Sequence, residues 1–106
     1  MKPIIIKSPI LPYFIAFALF GKIILIKKGH EDAIPHELIH IEQQQRIGIF
    51  KYHWKWIFDK KFRAKVEIEA FEKGDGYNRQ IIIDILRDYY NIDLTTDEYD
   101  TIVSNI

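Results

Sequence analysis

The stretch "PHELIHIEQQQR", residues 35–46, decides how the chain is read. It is polar yet helix-forming, and it carries His36 and His40 four residues apart. On a helix, positions i and i+4 stand one above the other with Cβ atoms about 5–6 Å apart, so two imidazoles there can grip one metal ion. Ile34, Leu38 and Ile41 share a different face and are expected to meet the core. Gln43 and Ile47 continue the histidine line. Glu37 falls between the two faces. There it is too far round to be a natural third ligand, but well placed to touch a water held by the ion, as metal-assisted hydrolysis requires.

Working outward, residues 27–32, "KKGHED", form a polar loop with His30 as a loop histidine. The helix is expected to start near Asp32, a good N-cap, with Pro35 tolerated in the first turn, and to stop at Gly48. Upstream, "KPIIIK" (2–7), "YFIAFALF" (13–20) and "IILIK" (23–27) are β-type runs, with Gly21-Lys22 as a tight turn between the last two. Downstream, helices are expected over residues 49–62, 63–73 and 78–90. Gly74-Asp75-Gly76 ends the second of these, and Thr95 with Glu98 makes a capping box for a short terminal helix. The sum is one small α+β domain: a short N-terminal antiparallel sheet, then three to five helices, the HELIH helix packed on the one that supplies a third ligand.

Composition narrows the chemistry. The 106 residues suit one domain with one core, and 48% of them are apolar. Fifteen basic residues balance fifteen acidic ones, which argues against nucleic acid or an anionic membrane as the main partner. With no cysteine, thiolate zinc sites and cysteine nucleophiles are excluded, so any metal must be held by His, Asp or Glu. Residues 9–26 are apolar but broken by Pro9, Pro12, Gly21 and Lys22, too short for a spanning helix and without a signal-peptide cleavage pattern. A cytoplasmic location is expected.

A third ligand is sought among Glu67, Glu69, Glu72 and His53. Ala64, Ile68 and Phe71 form the core face of their helix. Lys65, Glu69, Glu72 and Lys73 fall on the opposite arc, the pattern of a solvated, charge-paired surface. Glu67 lies beside the core face with only Ala70 and Gly74 on its own arc, as close approach of two helices would demand. The bland alternative is an ion pair with Arg63 one turn earlier. A semi-buried carboxylate needs a partner, so Glu67 is preferred and Glu69 comes second.

With these residues placed, residues 23–74 resemble the gluzincin metallopeptidases, which carry HExxH on one helix and a Glu on a later one. Here these are "HELIH" and "EIEA" (67–70), with Phe71 where related families often place Asp. The short chain is similar to the minigluzincins and to small HExxHxxQ proteins of bacteria and phages, the Gln being Gln43. The resemblance implies a minimal zincin-like domain over residues 1–106. It implies a Zn2+ held by His36, His40 and Glu67, a water in the fourth position, and Glu37 as general base in peptide-bond hydrolysis. It also implies a peptide or protein substrate lying along the strand at 23–27, and an oxyanion donor among Tyr52, His53 and Tyr77. The 39 residues that follow the presumed third ligand include "DEYDTIVSNI", so latency through the C-terminal tail is a further expectation. The alternative is a catalytically silent metal-binding or interaction protein on the same scaffold.

Overall fold

The computed structural model describes residues 3–8 and 16–105. Strands β1 (Ile4–Ser8), β2 (Ala16–Leu19) and β3 (Ile23–Lys27) form a sheet in the order β1-β3-β2. Helices α1 (Ile34–Ile47), α2 (Ile49–Phe58), α3 (Lys60–Ala70), α4 (Arg79–Tyr90) and α5 (Thr96–Ser104) follow. The α+β domain expected from sequence is therefore the one that forms, with one amendment to its sheet. β2 and β3 are antiparallel, Ala16 opposite Ile26 and Leu19 opposite Ile23. β1 runs parallel to β3, Ile4 opposite Ile23. β1 thus points the same way as β3 and sits beside it rather than beside β2. Residues 9–15, which hold the start of the expected second strand, lie outside the described residues. Among the described residues, no helix is long and apolar enough to cross a membrane.

The β2–β3 turn is set one residue earlier than the Gly21-Lys22 reading. Phe20 and Gly21 take φ of 56° and 69°, and the Lys22 amide donates to the Leu19 carbonyl at 3.2 Å. A left-handed Phe costs energy, and side chains of α1 and α2 hold it there. Gln44 accepts from the Gly21 amide at 2.7 Å and donates to the Ala18 carbonyl at 2.8 Å, while Gln45 donates to the Gly21 carbonyl at 2.7 Å. His53 accepts from the Phe20 amide at 3.1 Å. Two of the three consecutive glutamines thus bind the hairpin tip to α1.

Helix boundaries follow local chemistry. Asp32 sits in a 3-10 turn over Glu31–Ala33 rather than at the α1 N-cap, which is Ala33, and Pro35 falls in the first turn as expected. The α2–α3 break comes at Asp59, earlier than residue 62, because the Asp59 side chain accepts from the Phe62 amide and starts a new helix. The Thr95–Glu98 capping box forms as read.

Two apolar clusters result. One joins Ala18, Ile24, Ile26 and Ile41 between sheet and α1. The other gathers Ala64, Ile68, Phe71, Ile82, Leu86, Ile92 and Tyr99 among the later helices. Helix α1 is packed on two sides, so its polar face becomes interior: His36, His40, Gln43 and Gln44 are all buried. Ile41 and Ile34 meet the core as expected, but Leu38 is 40% exposed, because its arc is the one left to solvent. The C-terminal residues belong to the second cluster, with Ile92 and Tyr99 buried in it.

Candidate metal centre

Helices α1 and α3 face each other with their ligand-type side chains pointing inward. His36, His40 and Glu67 are all buried, and one ligand atom of each lies within 4.8 Å of the others. The contacts are tighter than that bound. His36 Nε2 is 3.0 Å from His40 Nε2, and Glu67 Oε1 is 3.1 Å from each. This group lies close enough to bind a metal ion.

The close approach of the helices rests on small residues. Ala70 is fully buried, and a Cβ at Gly74 would sit 2.6 Å from His36 Cα and 2.7 Å from the Pro35 carbonyl oxygen. Glu67, Ala70 and Gly74 do form the contact arc anticipated for them. Arg63 turns away from Glu67 and donates to the Trp56 and Ile57 carbonyls, so the simple ion-pair alternative does not occur.

The partners of each ligand settle which atoms face the centre. Asp75 Oδ2 lies 2.8 Å from His36 Nδ1, and a carboxylate there can only accept, so the proton is on Nδ1 and Nε2 presents its lone pair inward. Gln43 does the same for His40. Its amide nitrogen donates to the Val66 carbonyl and to Glu69, which turns its oxygen to His40 Nδ1 at 2.8 Å. Glu67 is clamped from behind, Trp56 Nε1 donating to Oε2 at 3.2 Å and Tyr90 donating to Oε1 at 3.1 Å. Two imidazole lone pairs and a carboxylate therefore converge with only acceptors facing one another. Such a group needs a cation in its midst, either a proton or a metal ion.

The fit to a metal is good. At ligand distances of about 2.0–2.1 Å, two members of a tetrahedral set stand roughly 3.3–3.4 Å apart, a few tenths of an ångström wider than observed. Without a metal the proton takes the place. Burial pushes His40 down, but the charge and hydrogen bond of Glu67 outweigh it and raise His40 to about 9. Burial would likewise raise Glu67, yet His40 and His36 hold it well below the usual carboxylate range.

Glu37 stands apart from the ligand set, its Oε2 3.8 Å from His36 Nε2. Burial raises its carboxyl, with His40 and His36 opposing. It lies on the floor of a cleft of about 260 Å³, together with His40 and Glu67. Strand β2 lines one wall and Tyr52, His53, Trp56 and Ile57 of α2 the other, with Tyr90 also in the lining.

Several expectations are corrected here. Glu69 is buried and pairs with Gln43, Arg46 and Lys73 rather than lying on a solvated arc, because it supports the Gln43 amide from behind. Of the three candidate oxyanion donors, Tyr52 and His53 line the cleft, while Tyr77 stacks on Phe71 outside its lining. The strand at 23–27 is central, both edges occupied by β1 and β2, so β2 is the strand along the cleft. Past Tyr90, no described residue lines the cleft, so the described part of the tail does not plug it.

Asp75, Trp56 and Tyr90 went unrecognised in the sequence. Asp75 reaches His36 because α3 runs on through a π-helical turn, Phe71–Asp75, whose wider spiral swings it toward α1. The Gly-Asp-Gly run marked that turn as special without revealing its direction. No known protein family, curated protein or solved structure matches this chain.

Proposed function

We propose that this chain is a small zinc-dependent peptidase of the gluzincin type. The observation that carries the reading is the convergence of His36, His40 and Glu67 within 3.1 Å beside a separate buried carboxylate, Glu37. Two imidazoles and one carboxylate suit zinc better than the harder cations, which prefer all-oxygen sites. Bound there, the ion would polarise the scissile carbonyl and acidify the attacking water.

The remaining work falls to side chains of this chain. Glu37 takes one proton from the water as its oxygen attacks the carbonyl carbon, and returns it to the amide nitrogen as the C–N bond breaks. Burial suits it to both roles, since a raised carboxyl is a stronger base toward the water and, once protonated, holds the proton until the leaving amine takes it. Asp75 and Gln43 hold the two imidazoles in the required tautomer. Tyr90, kept a phenol by burial and by the charge of Glu67, donates its one O–H to Glu67 and so holds that carboxylate in place for the ion. An extended peptide would lie along β2, the cleft's strand wall.

The test pairs metal analysis with turnover of an unfolded protein such as casein. One zinc per chain, lost in Glu67→Ala, is expected. Glu37→Gln should keep the zinc while turnover falls by about 10²–10⁴. Zinc without turnover in the wild type would leave a silent metal-binding scaffold. No metal after incubation with zinc would sink the proposal.

A further inference from the structure

Helix α2 carries a second face that the metal centre does not use. Phe50, Trp54, Ile57 and Phe58 form one continuous arc of the helix and are 88%, 67%, 60% and 68% exposed. Trp54 and Phe58 touch, ring centroids 4.5 Å apart, and Phe20 of the β2–β3 turn, half exposed, extends the ridge. Exposed apolar patches of this extent mark a binding surface.

The charge around the ridge identifies its occupant. The chain as a whole is neutral, but six of its 15 basic residues fall in residues 51–65 against one of its 15 acidic ones. These are Lys51, Lys55, Lys60, Lys61, Arg63 and Lys65, with Asp59 alone opposing them. Arg63 is turned inward over Trp56, whereas Lys51, Lys60 and Lys65 have no ion-pair partner among the described residues. Lys51 and Lys55 occupy the helical arc next to the aromatic one.

We infer that α2 docks this protein on an anionic phospholipid bilayer, its aromatic ridge entering the headgroup–acyl boundary and its lysines meeting the lipid phosphates. Aromatic and aliphatic side chains on one arc and lysines beside it are what an interfacial helix needs. A second copy of the chain fits poorly, because a two-fold contact through this ridge would bring the two lysine sets together. Ile57 and His53 line both the ridge and the cleft, so a docked molecule holds the cleft mouth at the membrane surface.

Vesicle co-sedimentation of the intact protein tests this. Binding to equimolar phosphatidylcholine–phosphatidylglycerol vesicles and not to phosphatidylcholine alone is expected, with weakening as salt rises. Phe50→Ser/Trp54→Ser, and separately Lys51→Glu/Lys60→Glu/Lys61→Glu, should each lower the partition by about tenfold or more. All five side chains point to solvent, so circular dichroism should report an unchanged fold. Failure to sediment with the anionic vesicles would overturn the inference. So would binding undiminished by Phe50→Ser/Trp54→Ser. A dimer in analytical ultracentrifugation that the same double variant dissolves, without vesicle binding, would reassign the ridge to self-association.

Discussion

Gly74→Ala sets local preference against tertiary contact, and the two have opposite signs. Gly74 lies in the π-helical turn and is not among the positive-φ glycines, so an alanine there costs nothing in backbone conformation. By helix propensity alone it would stabilise the protein by about 1 kcal/mol. The added Cβ, however, would stand 2.6 Å from His36 Cα, 2.7 Å from the Pro35 oxygen and 2.8 Å from the His36 nitrogen. All three are backbone atoms of the first turn of α1, so none can step aside by changing rotamer. The helices must part by several tenths of an ångström, at about 2–3 kcal/mol by comparison with overpacked cores. The net effect is a loss of about 1–2 kcal/mol, or roughly 5–15 °C in Tm for a domain of this size. Parting also draws Asp75 from His36 and Glu67 from both imidazoles, so metal affinity should fall by about tenfold or more. Thermal unfolding with chelator and with zinc reads both quantities. A Tm equal to or above that of the wild type, in either condition, would refute the close packing of α1 on the π-helical turn.

Gln43→Leu and Asp75→Asn should each weaken zinc binding by about 10–100-fold in competition with a chromophoric chelator while the fold survives; unchanged affinity would show that neither orients its histidine. The ion-free protein should be most stable between about pH 4.5 and 6.5. The raised His40 contributes fully below its ordinary 6.5 and loses that contribution as pH rises through about 9, while the depressed Glu67 contributes above its ordinary 4.5 and loses it as pH falls. A Tm in chelator that climbs from pH 6.5 to 9 would contradict this assignment. The same His40 proton must leave when a metal enters, so zinc titration calorimetry near pH 7 should show heats that vary with the buffer's ionisation enthalpy, and affinity should rise with pH up to about 9. Deleting residues 92–106 removes buried Ile92 and Tyr99 from the helical core and should unfold the protein rather than activate it. A folded and more active truncation would restore the tail as an inhibitor.

Much of this protein was legible in one dimension because the relevant physics is local. Spacing of i and i+4 on a helix placed His36 and His40 together, and small residues on the arc of Glu67 singled it out before any packing was known. The Thr95–Glu98 box and the stop at Gly48 depend only on neighbouring residues and stand where they were read. Elsewhere the decision lay between segments distant in the chain. Charge pattern put Glu69 on the surface, but packing of α1 against α3 carried it inward to hold Gln43, 26 residues away. The hydrophobic arc of α1 pointed Leu38 to a core that the sheet placed elsewhere. The strand at 23–27 became central because β1 settled beside it in parallel, which no local pattern specifies. Asp75, Tyr90 and Trp56 reach the ligand set across 39, 23 and 11 residues of chain. Ligands that share a helix are set by its repeat; the groups that orient and clamp them are chosen by which helices meet, and burial of the whole chain decides that.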